Sequence, residues 1–292
     1  MDELAAASDR LAADTAMGAV TLLVGDLDGM TRFYRDVVTL DVLGADGDTV
    51  ALGRAGRAIV VLVHSPQLRH AAQNSAGLFH TAILFESQAA LAAAVYSVAS
   101  QVPRSFSGSA DHLVSQAFYF TDPEGNGIEL YWDRLRTDWS WTHGQIEMDS
   151  LFLDPNAFLR EHLTEDAAAG ATAYEPASVG HVHLSVGDIA SARAFYVGAL
   201  GFDETADYRG SALFVSAGGY HHHMAMNVWN SRGAGPRTPA LGLGRVDLVL
   251  PGQDDLGELG ERLRHHGVAV RDDGRGLAFD DPWKNAVLAT AS

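Results

Sequence analysis

The sequence has no cysteine. That excludes disulfides and thiolate metal sites, and leaves His, Asp, Glu and backbone oxygen as the ligands any metal must use. Positive charge is scarce: 20 Lys and Arg stand against 37 Asp and Glu, a formal net charge of -17. Such a balance favours solubility and argues against nonspecific binding to nucleic acid or to an anionic membrane surface. No apolar run approaches the ~20 residues of a membrane span. The opening MDELAAASDRLAADTA is acidic and lacks an apolar centre, so it does not read as a signal peptide. The expectation is a cytoplasmic protein without nucleic-acid or membrane partners, with residues 1–16 as an N-terminal extension, either a frayed helix or unordered. What is present is ordinary for a globular chain: 47% hydrophobic and 20% charged residues over 292 positions, a length for about two domains and a sizeable core.

The organising feature is a repeat. GAVTLLVGDLDGMTRFYRDVVTLD, from Gly18, matches GHVHLSVGDIASARAFYVGALGFD, from Gly180, at an offset of 180 − 18 = 162 residues. In each segment the first seven residues alternate and read as a strand. Asp26 or Asp188 then stands where a helix N-cap belongs, and the helix should end near Leu40 or Gly201. A weaker strand–helix unit follows in each half, GLFHTAILFESQAALAAAVYSVAS and GRVDLVLPGQDDLGELGERLRHHG, the latter with Gly267 as a helix stop. Short β-like runs with turn signals come after every helix, among them QAFYFTDPEGNGIELYW, SAGGYHHHMAMNVW and LAFDDPWKNAVLATA. The reading is an α+β protein of four βαβββ modules, at 17–66, 77–133, 178–230 and 241–292. Modules one and two make a first half, 17–133, and modules three and four a second, 178–292. The connector 134–177 should carry a helix around 155–168.

The phrases GLFHTAIL, DPEGNGIELYWDR, GHVHLSV and SAGGYHHH together resemble the vicinal-oxygen-chelate superfamily, which includes glyoxalase I, bleomycin-resistance proteins and extradiol dioxygenases. Within it, the chain is most similar to four-module, catechol-2,3-dioxygenase-like (type I extradiol) ring-cleaving proteins, over about residues 17–292. The resemblance implies two cupped mixed sheets, each built by two modules, with a metal on the concave side.

Strand alternation sorts the candidate ligands. His181 and His183 share a face opposite Val182, Leu184 and Val186. His80 lies opposite Thr81, Ile83 and Phe85, and Glu129 opposite Ile128, Leu130 and Trp132. His80, His181 and Glu129 therefore project away from the packed side, at positions where the family places its ligands. Their counterparts Ala19, Arg245 and Leu288 cannot serve, and Asn227 is a poor ligand. Two His and one carboxylate form the facial triad of non-haem Fe(II) oxygenases, so one Fe(II), with Mn(II) as the alternative, is expected per chain. Because all three ligands fall in modules two and three, those modules should share a cup, leaving modules one and four a metal-free one.

The resemblance also implies acid–base groups: Tyr119, His112, and His223 as the best match within His221, His222 and His223. His183, His221, His222 and Asn227 are expected to line the substrate. His221 shares the face of His223 if the strand is regular, while His222 would point away unless a bulge intervenes. DPEGNG lacks the ligand spacing of a calcium loop and reads as a turn. The expected activity is extradiol cleavage of a catechol, or of a hydroquinone-type relative, by O2. The alternatives are a glyoxalase-like lyase or isomerase, which calls for a fourth protein ligand, and a metal-free binding protein of the resistance type. The ring substituents are not legible. The oligomeric state is open, a homo-oligomer included.

Overall fold

A computed structural model of the chain describes residues 9–169 and 175–292. Of the expected N-terminal extension, residues 1–8 lie outside the described residues. Leu11 is buried and its N–H donates to the Gly201 carbonyl at 2.8 Å.

The strand–helix–three-strand unit occurs four times. The first has β1 (Ala16–Val24), α1 (Leu27–Arg32), β2 (Asp41–Asp46), β3 (Thr49–Arg54) and β4 (Arg57–His64). The second has β5 (Gly77–Phe85), α2 (Gln88–Gln101), β6 (Phe106–Asp111), β7 (Ser115–Thr121) and β8 (Gly127–Asp133). Three short strands follow, β9 (Trp141–Thr142), β10 (Gln145–Ile146) and β11 (Leu151–Phe152), then α3 (Pro155–His162) and α4 (Glu165–Ala168). The third unit has β12 (Ala177–Ser185), α5 (Ile189–Arg193), β13 (Asp203–Asp207), β14 (Ala212–Ser216) and β15 (Met224–Asn227). The fourth has β16 (Gly242–Leu250), α6 (Gln253–His265), β17 (Arg271–Asp272), β18 (Gly276–Asp280) and β19 (Ala286–Ala291).

Asp26 and Asp188 cap their helices as the pattern requires, accepting from Gly29 N at 2.9 Å and from Ser191 N at 2.6 Å. The helices themselves end sooner than expected. After α1 and α5 the backbone widens into a π turn, over Phe33–Val37 and Ala194–Ala199. There Val38 and Leu200 donate five residues back, to Phe33 and Phe195, instead of four. The helix expected around 155–168 is likewise two: α3 stops at His162, and Thr164 starts α4 by capping Ala167 N at 3.0 Å.

The strands form two large mixed sheets and one small hairpin. The eight-stranded sheet has the order β17-β18-β19-β16-β1-β4-β3-β2, the nine-stranded sheet β11-β6-β7-β8-β5-β12-β15-β14-β13, and β9 pairs with β10. Strands of modules one and four thus share one sheet, and those of modules two and three the other, as the ligand pattern required.

By contacts the described residues gather into two compact units, 21–69 with 80–169 and 175–180, and 9–20 with 70–79 and 181–292. Each has the same polar clasp. In the first, the Tyr34 hydroxyl donates to the buried Asp122 carboxylate at 3.1 Å, which also takes Asn126 N and Nδ2, each at 2.8 Å. In the second, Tyr196, Asp281 and Asn285 repeat this at 3.0, 2.8 and 2.8 Å.

Candidate metal centre

β5, β8 and β12 lie side by side in the nine-stranded sheet. β5 and β8 run parallel with Ala82 opposite Glu129. That register sets Glu129 beside His80, and their Nε2 and Oε2 atoms are 2.9 Å apart. His181 is on β12. All three are buried, and one ligand atom from each falls within 4.8 Å of the others. Gly180, just before His181, is required by packing: a Cβ there would come 1.7 Å from the Tyr131 hydroxyl.

The donor set fits a divalent ion. A buried carboxylate needs a positive partner, and two imidazoles with one carboxylate suit Fe(II) or Mn(II) and leave positions open. Donors on a shell of about 2.0–2.3 Å are roughly 3–4 Å apart, so small rotamer changes bring these three onto one ion.

Tyr119 on β7 pairs across from Glu129, and its ring is 5.7 Å from that of His80. Burial pushes its hydroxyl well above the usual tyrosine range, and the negative charge of Glu129 and a hydrogen bond to it push the same way. His112, named above from the resemblance, lies within hydrogen-bond reach of Tyr119. The turn after β6, with Leu113 at φ +70 and His112 N donating to Ser115 O, folds it back. His112 Nε2 is 2.6 Å from the Tyr119 hydroxyl and Nδ1 is 2.7 Å from the Asp149 carbonyl. A carbonyl only accepts, so Nδ1 carries a proton, and in neutral His112 the Nε2 atom accepts from Tyr119.

The three consecutive histidines fall out differently from the strand-face expectation. Residues 217–223 are not a regular strand: Gly218 and Gly219 both have positive φ, and β15 begins only at Met224. His222, expected to point away, has its ring tilted against that of His181 at 4.1 Å and edge to face with Phe214 at 5.0 Å. His223 instead faces Phe202 and Tyr220, at 6.3 and 4.9 Å, and its Nδ1 accepts from Ala217 N at 3.2 Å. Of His222 and His223, it is His222 whose ring contacts that of a candidate ligand. His221 is fully buried, with Nδ1 2.8 Å from Nδ1 of His222 and its ring 6.0 Å from that of His181.

His183 and Asn227 are both buried and meet each other, Nε2 to Nδ2, at 3.0 Å. Around His183 stand three rings the sequence reading passed over: Phe79, Trp229 and Phe214, at 5.0, 5.3 and 5.8 Å. Alternation puts Phe79 on the face opposite His80, and Trp229 lies beyond the end of β15, so neither carried a signal.

The glyoxalase/bleomycin resistance protein/dioxygenase superfamily model matches residues 16–130 and 178–287. A catechol-2,3-dioxygenase of Bacillus subtilis (strain 168) is 35% identical over 281 residues, 94% of this chain and 96% of that one. Among solved structures, a protein of Bacillus subtilis subsp. subtilis str. 168 provisionally named a dioxygenase superposes with a TM-score of 0.65 at 13% identity, over 97% of this chain and 86% of that one. Glyoxalase I from Zea mays gives 0.56 at 16% identity, over 95% and 92%. These two likenesses concern the fold.

Proposed function

The chain belongs to the glyoxalase/bleomycin resistance protein/dioxygenase superfamily, and from that premise we propose that it is an extradiol dioxygenase cleaving a catechol with O2, with His80, His181 and Glu129 holding one Fe(II). The observation that carries this reading is a buried His–His–Glu triad with a tyrosine–histidine pair beside its carboxylate. Mn(II) suits the same donors, and a catechol is the substrate class named for the 35%-identical relative. Bound there, the ion supplies a Lewis-acid and redox centre with positions open to the substrate oxygens and O2.

The side chains have separable tasks. The diol must lose a proton as it binds, and negative charge that develops on oxygen must be stabilised or protonated. Tyr119 presents a hydroxyl held in its protonated form, as a donor. His112, with Nδ1 donating to the Asp149 carbonyl and Nε2 toward that hydroxyl, is oriented to accept the Tyr119 proton. His222, against His181, is the histidine placed to exchange a proton with substrate on the other side. A glyoxalase-like reaction calls for a fourth protein ligand. The candidate position holds Asn227, whose amide is engaged with His183 and with Trp229 N.

The test is anaerobic reconstitution with Fe(II), then a catechol panel followed by O2 uptake and by absorbance of the ring-opened product. Stoichiometric O2 uptake with at least one catechol is expected. Full metal loading with no O2 uptake on any of them overturns the reading.

A further inference from the structure

We propose that His183, Asn227 and the rings around them form the subsite for a ring substituent of the substrate, and that it selects uncharged aryl or alkyl groups over carboxylated ones. This rests on the dioxygenase reading and states which catechols it concerns.

His183 is two residues along β12 from His181 and on the same face, a displacement of about 7 Å along the strand. A catechol held by both oxygens next to His181 can extend its ring and substituent in that direction. The walls it meets are flat. Phe79 and Trp229 meet edge to face at 5.3 Å, and both pack on His183. Phe214 lies on the third side of His183, with Tyr208 5.2 Å beyond it. The outer faces and edges of such a ring cluster offer a planar apolar group stacked or edge-on contact. The cluster also has a direction: Asn227 is 0% exposed and Trp229 51%, so it runs from a closed polar end to an aromatic mouth.

Hydrogen bonds fix the orientation of the side chains at the closed end. Trp229 N can only donate, so the Asn227 atom it meets at 3.1 Å is Oδ1. That leaves the Asn227 Nδ2 to face His183, where it donates to Nε2 at 3.0 Å. A carboxylate brought here would lose its hydration against the rings of Phe79, Phe214 and Trp229, a costly burial. A phenyl or alkyl group would lose nothing of that kind and would bury apolar area.

The test reads binding apart from turnover. Trp229 emission is titrated with 3-phenylcatechol and with 3,4-dihydroxyphenylacetate, on the metal-free protein and on the Fe(II)-loaded protein kept anaerobic. A Trp229→Phe variant identifies the responding residue. The phenyl compound is expected to bind at least about tenfold more tightly, the scale of discrimination by an apolar pocket. Phe79→Ala should cut that preference to about two- or threefold, and Trp229→Ala, at a half-exposed position, should do so without threatening the fold. Equal binding, or tighter binding of the carboxylated compound, overturns the subsite. O2 uptake that ignores the substituent does the same while leaving the dioxygenase reading intact. A phenyl preference in the titration with no O2 uptake on any catechol supports the subsite and overturns the dioxygenase reading instead.

Discussion

Tyr119 stands between a carboxylate on the ligand side and a histidine on the other, and one hydroxyl proton cannot serve both. Which neighbour receives it depends on the charge of Glu129. A cation on that carboxylate offsets its pull and turns the hydroxyl toward His112 or substrate. Tyr119→Phe should therefore keep its metal while turnover falls about 10²–10⁴-fold, the usual cost of a lost proton-transfer group. Metal content measured beside steady-state O2 uptake checks both halves, and a wild-type rate would remove Tyr119 from the mechanism. His222→Ala should lower turnover on the same scale, whereas His223→Ala, whose ring faces Phe202 and Tyr220, should stay within about threefold of wild type on the scale of that loss. The reverse order would restore the strand-face assignment. The contrast also marks what a sequence can carry at this scale. His80, Glu129 and His181 were legible because each sits inside a strand, where period-two alternation fixes the face. His221 to His223 follow two glycines in the left-handed region, and no periodicity extends through such a turn.

The elements are joined by pieces the sequence displays plainly and by others it conceals. The Asp caps of α1 and α5 were readable from the repeat, because only a short polar side chain satisfies the first N–H groups of a helix. The π turns that follow were not, since a wider turn has no distinct residue signature. Nor was the Tyr–Asp–Asn clasp, although both copies lie in quoted phrases: its partners are 88 residues apart for Tyr34 and Asp122, and 85 for Tyr196 and Asp281. The clasp has a pH consequence. Burial raises the Asp122 carboxyl to about 6 against an ordinary 3.8, and Asp281 moves the same way. A raised folded-state pKa means the folded protein holds the proton more tightly than the unfolded chain. The associated stability is complete below about pH 4 and is lost as the pH rises through about 6, a loss of roughly 3 kcal/mol from Asp122 at 1.36 kcal/mol per pKa unit. Urea unfolding of wild type and Asp122→Asn at pH 4.5 and pH 7.5 isolates it, since the variant has no proton to exchange there. The wild-type advantage should shrink toward pH 7.5, and an advantage that grows instead would show the carboxylate to be the favoured buried form.

Across the whole molecule the same scaffold is used twice with different contents. No helix among the described residues is long and apolar enough to cross a membrane. The two large sheets have matching centres. In one, β5 and β8 set Ala82 opposite Glu129; in the other, β16 and β19 set Asp247 opposite Leu288. Counting back two residues on each first strand, Arg245 holds the place of His80, while Leu288 holds that of Glu129. Ala19 is offset by 162 from His181. The second sheet has thus kept the register and lost the donors. Arg245 also forms a two-pronged pair with Asp247, at 2.6 and 3.1 Å, so a fixed positive charge already meets the carboxylate at that position. A second cation is disfavoured there by repulsion and by the absence of imidazole or free carboxylate. The protein should bind one equivalent of Fe(II) or Mn(II) per chain by elemental analysis after dialysis, and His80→Ala with Glu129→Ala should bind none. If register alone separates the two sheets from equivalence, Ala19→His, Arg245→His and Leu288→Glu together should raise the content toward two equivalents. They supply three donors and remove the guanidinium in one step. A well-folded triple variant that still binds one equivalent would show that the matching register is not enough, and that neighbours of the triad, Tyr119 and His222 among them, help to form the site.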